Sequence, residues 1–168
     1  QKKVGVNNCT AQALAAIIDM QRSMVCIGSE NDGRAGSNGA RGLAPDQRAS
    51  AGMIFFRGHE VEAAEQGIPF QPDGEYVNGL RSLRSALKGF FHNGVCCERS
   101  WLERAKEMGG PDSVKIGKEA RRIPLGAYYR LQPILNDYHA AINEVGAIYA
   151  AAEIHDGWAE ATVRANGG

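Results

Sequence analysis

Cys9 is the residue of this sequence best placed to do chemistry. A thiol becomes a nucleophile when it loses its proton, and the start of a helix favours the thiolate through its exposed amides and dipole. Asn7 and Asn8, good helix N-caps, stand directly before Cys9, and the run TAQALAAIIDMQR follows it. That order predicts Cys9 at or within the first helical turn. Amides of the same turn can also donate to the oxyanion that forms when a thiolate attacks a carbonyl. The competing reading is an inert, small apolar residue at a helix start, and spacing by itself leaves both open.

Other chemistry finds less support. Cys9, Cys26, Cys96 and Cys97 with a histidine could ligate zinc, but no Cys-x-x-Cys or His pair has ligand spacing. Asn8-Cys9-Thr10 has the form of a glycosylation acceptor, yet a buried helix start argues against an exposed loop there. The glycines at 28, 33, 36, 39 and 42 lack the Gly-Lys-Ser/Thr ending of a phosphate loop and read as a long mobile insertion. Cys96 and Cys97, beside Trp101, read as packing residues.

Several elements must hold these residues. Ala11, Leu14, Ala15 and Ile18 share one face of a helix running from Thr10 to about Arg22. Within 44–67, Met53, Ile54, Phe55 and Phe56 precede the acidic string Glu60, Glu62 and Glu65, as in a helix with a solvated face. Leu80, Leu83, Leu87 and Phe90 or Phe91 recur at helical spacing and stop at Asn93-Gly94. The stretch after Gly109-Gly110-Pro111 reads as polar. A further helical region carries Leu131, Ile134, Leu135, Tyr138 and Ile142, with Pro133 as an interruption, and ends at Gly146. Then Ile148, Ala150, Ala152 and Ile154 alternate, which predicts a strand that has no partner in the sequence.

At 168 residues, with 43% apolar and 23% charged, the composition fits one soluble globular domain or part of one. Nineteen basic residues balance nineteen acidic ones, which gives nucleic acid no electrostatic footprint. No stretch approaches the roughly 18 consecutive apolar residues of a membrane span. Four cysteines are too few for a disulfide scaffold. The compartment stays open, with the cytoplasm favoured.

NCTAQALA, residues 8–15, resembles the nucleophile helix of papain-like cysteine peptidases, in the bacterial variant where Thr replaces the aromatic residue after Cys. SAGMIFFRGHEVEAAE (50–65) resembles the family's second helical segment, and LRSALKGFFHNGVCCERSW (83–101) its helix, Gly turn and Cys-x-x-x-x-Trp. Tyr129-Arg130-Leu131 and AINEVGAIYAAAEIHD (141–156) resemble the tract that delivers the first strand of a β-rich subdomain. The resemblance implies an α+β fold. Residues 1–145 would form the helical subdomain, with a Gly-rich insertion near 28–42, and residues 146–168 the truncated start of the β-rich one.

The activity so implied is peptide-bond hydrolysis through a Cys9 thiolate and an acyl-enzyme, on a peptide or protein substrate. Partners would be that substrate and the remaining C-terminal part of the same protein. No cofactor, metal, nucleic acid or membrane is expected. Family order places the catalytic histidine and its orienting asparagine further along the polypeptide, and His59, His92, His139 and His155 occupy positions the family does not use. The family's oxyanion glutamine lies six residues before the nucleophile, where this sequence has Lys3. A longer loop through Val4-Gly5-Val6 would bring Gln1 into that role; a different register or a lost donor are the alternatives. Two other readings are a catalytically incomplete papain-like domain acting as a binding or assembly module, and an unrelated helical interaction domain with Cys9 in its core.

Overall fold

The computed structural model describes residues 8–29, 43–71, 79–103 and 110–152. Gln1, Lys3, residues 30–42 of the glycine-rich tract, Ile154 and His155 lie outside them. The described residues fold into six α-helices: α1 (Cys9–Ser29), α2 (Ala51–Gln66), α3 (Leu83–Asn93), α4 (Glu98–Glu103), α5 (Val114–Ala120) and α6 (Leu135–Val145). A single 3-10 turn, Pro45–Gln47, precedes α2. None of these helices is long and apolar enough to cross a membrane.

Each start and stop has a local cause. Ser50, Ser82 and Ser113 sit at N-cap positions of α2, α3 and α5 and accept from the amides of Met53, Ser85 and Ile116. Such a cap stabilises a helix by about 1 kcal/mol. Gly67, in the left-handed conformation, closes α2 by donating to the carbonyls of Ala63 and Ala64. Pro133 ends the extended lead into α6, which begins two residues later, after Ile134.

α2 occupies the centre and packs against α1, α3 and α4. Its Met53 and Ile54 are almost fully buried and meet Leu14 and Ile18 of α1, Phe90 of α3 and Trp101 of α4 in one core. Phe56 and Trp101 meet edge to face with centroids 5.4 Å apart. Just before α2 and α4, Ala49 and Cys97 form an isolated antiparallel bridge, with the Ser50 amide on the Cys96 carbonyl at 3.0 Å and the Glu98 amide on the Arg48 carbonyl at 2.8 Å. Asp19 of α1 accepts from the Ala49 amide at 2.8 Å, which pins α1 to this junction.

Three expectations need correction. Glu62 does not face water: it is buried, and its carboxylate accepts the Arg81 amide at 2.6 Å. The tract after Gly110 contains α5, whose Ile116 and Ala120, four residues apart, are both fully buried. No strand forms among the described residues; 147–152 pair with nothing in a ladder, because a strand needs a neighbour to satisfy its backbone. In that segment Tyr149, which is not one of the alternating residues Ile148, Ala150 and Ala152, packs against the core.

Candidate functional site

Cys9 is exposed and is the first residue of α1. Asn8 stands in the N-cap place: its carbonyl accepts the first helical bond, from the Gln12 amide at 3.0 Å. The side chain behaves differently from the expectation for a capping asparagine. Asn8 is only 7% exposed, and its Oδ1 is buried with no hydrogen-bond partner among the described residues. The amides of the first turn, which have no acceptor within the helix, are therefore not taken by this cap. Burial of Asn8 also weighs against glycosylation there.

One face of α1, Ala11, Leu14, Ala15 and Ile18, is buried, which holds the helix rigidly behind Cys9. A second support comes from far along the sequence. The Gln21 side chain donates to the Val145 carbonyl at 2.6 Å, and Tyr149 Oη donates to the Thr10 carbonyl at 2.8 Å. From Thr10 to Gln21 the helix spans about 16 Å at 1.5 Å per residue. Leaving α6 through the left-handed Gly146, the backbone from Val145 to Tyr149 can reach at most about 13 Å, and the tyrosine side chain supplies the remainder. The segment leaving α6 thus runs antiparallel along α1 and heads for the end that carries Cys9. Burial first, and then the nearby Cys9, push the Tyr149 hydroxyl above the ordinary tyrosine pKa and keep it a donor.

His59, His92 and His139 sit on α2, α3 and α6. His59 lies edge-on to Phe55, with centroids 4.4 Å apart, and 3.6 Å from Glu62. Burial lowers its pKa despite that carboxylate. His92 meets the ring of Phe91, and His139 is exposed on α6. Gln1 and Lys3 lie outside the described residues. Cys26 belongs to α1.

The other two cysteines separate. Cys96 is fully buried, and burial pushes its thiol up to about 12. Cys97 donates from Sγ to Glu119 Oε1 at 3.0 Å, and Ser100 Oγ donates to the same oxygen at 2.7 Å. Nothing in the adjacent cysteines signals this carboxylate, which arrives on α5.

Sequence reasoning also missed Arg57. It is buried in α2, donates from Nη2 to the Pro111 carbonyl at 2.9 Å, and places Nη1 2.8 Å from both Glu60 and Asp112. A cavity of about 240 Å³ beside it is lined from α2, α3 and the start of α5, with no residue of α1. The chain matches no family model, no curated protein and no solved structure.

Proposed function

We propose that Cys9 is the nucleophile of a papain-like cysteine peptidase and that the described helices form the wall of its substrate cleft. The observation that carries this reading is the exposed thiol on the first residue of a helix whose opposite face is buried. A thiolate there attacks a peptide carbonyl; the first-turn amides face the developing oxyanion, the amine leaves with a proton, and water releases the acyl group. The imidazole base and the asparagine that orients it are supplied by polypeptide following the helical part, and Gln1 is the proposed side-chain oxyanion donor.

The α6 tract supports the same reading. Leu135, Tyr138, Ile142 and Val145 project from α6 at helical spacing, all four are exposed, and α6 has no buried residue. An apolar stripe of this kind suits a second layer, the place a β-rich subdomain would take. It equally favours the second reading, a papain-like helical module that binds a partner without catalysis.

Turnover separates the two. The full natural protein is assayed on a peptide library beside its Cys9→Ala variant. Peptide cleavage by the natural protein and none by the variant supports the peptidase; equal product from both removes Cys9 from any catalytic role.

A further inference from the structure

Helix ends fray, and α1 begins without a side-chain cap from Asn8 among the described residues. A nucleophile on the first residue of such a helix needs its turn held by something else, since productive geometry tolerates only about 0.5 Å of error. The Tyr149–Thr10 hydrogen bond is placed to do this. It joins residues 139 positions apart, it ends on the carbonyl adjacent to Cys9, and the tyrosine ring is anchored against the core.

We infer that Tyr149 is a positioning residue for Cys9, its hydroxyl clamping the first turn of α1 so that the turn's amides stay aimed at the sulfur and at an incoming carbonyl. The inference rests on the reading of Cys9 as a nucleophile. It also couples the two ends of the described chain: whatever displaces the segment after α6 releases the turn that presents the thiol. Tyr149 acts in this role through the Thr10 carbonyl.

Iodoacetamide labelling of the full natural protein, followed by peptide mass spectrometry, tests this in wild type and Tyr149→Phe. Phenylalanine keeps the ring and removes only the donor. Labelling of Cys9 in the variant is expected to run about fivefold slower than in wild type near pH 6 and at the wild-type rate near pH 9. Cys96 should stay protected in both proteins. A variant whose rate profile across pH coincides with wild type overturns the inference and leaves the nucleophile reading intact. A variant in which Cys96 opens together with Cys9 also overturns it, since the hydroxyl then holds the core at large. If wild-type Cys9 reacts no faster than a cysteine in an unstructured peptide, the nucleophile reading fails, and the positioning role with it.

Discussion

A Cβ placed on Gly89 of α3 would lie 2.8 Å from the carbonyl carbon of Arg57 in α2, so the two helices cross with backbone against backbone at this point. Such an approach admits no side chain and draws Leu80, Ala86 and Phe90 into contact with the α2 core. Gly94, one residue after α3, has φ 71°, and a Cβ there would collide with the Ala120 carbonyl. The α2–α3–α5 junction is thus set by two positions where only glycine fits.

Gly89→Ala should force the helices apart and destabilise the fold by about 1–3 kcal/mol, the usual cost of overpacking. Urea unfolding monitored by circular dichroism reads this as a lower midpoint, and an unchanged midpoint would show that α3 can slide aside.

Ser50 is fully buried at the start of α2 and accepts from the Met53 amide at 3.1 Å. Ser50→Ala leaves that amide without its cap inside the core, with an expected loss of about 1–2 kcal/mol. Ser82→Ala, at the more exposed cap of α3, should cost less; thermal melts of the two variants rank them.

Arg57→Lys keeps the charge but gives up the planar fork that reaches Glu60, Asp112 and the Pro111 carbonyl together. A loss of about 1–3 kcal/mol is expected. Amide hydrogen exchange should rise first around residues 110–120, the segment this side chain holds to α2. Exchange that rises equally everywhere would argue against a local tie.

Glu119 links α4 to α5 and its folded pKa is lowered. Burial acts to raise it, but hydrogen bonds from Cys97 and Ser100 to the ionised form outweigh that. A folded value below the unfolded one means the contribution is fully present above the unfolded carboxylate range, about pH 4.3, and is lost as pH falls through the folded value. Wild type should therefore exceed Glu119→Gln in stability by about 1–2 kcal/mol at neutral pH, the difference closing on acidification. Urea midpoints measured for both proteins from neutral to acidic pH would reveal a constant gap if the carboxylate charge plays no part.

The cysteines should divide by reactivity in the native state. Cys9 is exposed and should label with iodoacetamide, whereas buried Cys96, its thiol pushed up to about 12, should label only in urea. Rapid native labelling of Cys96 would show that the core around Val95 and Trp101 opens.

Much of the helical framework was legible because local rules wrote it. The 3.6-residue spacing of Ala11, Leu14, Ala15 and Ile18 marked α1 and its buried face, Asn8 marked its start, and Asn93-Gly94 marked the end of α3. Cys9 could be picked out for the same reason: its place is a property of the few residues around it. α5 was readable in principle from Ser113 followed by Ile116 and Ala120, but its charged residues hid a face only two side chains wide.

Tertiary structure alone decided the rest, wherever a polar group found its partner far away in sequence. Glu62 looked solvated until the Arg81 amide met it, and Arg57, which no pattern singled out, finds its partners at Pro111 and Asp112. The strand expected from Ile148 onward shows no pairing among the described residues, and Tyr149, outside the alternating set, meets the core. Periodicity records which residues share a side; it carries no record of which neighbour will lie there, because hydrogen bonds and close contacts between distant segments depend on where the packed helices bring the backbone.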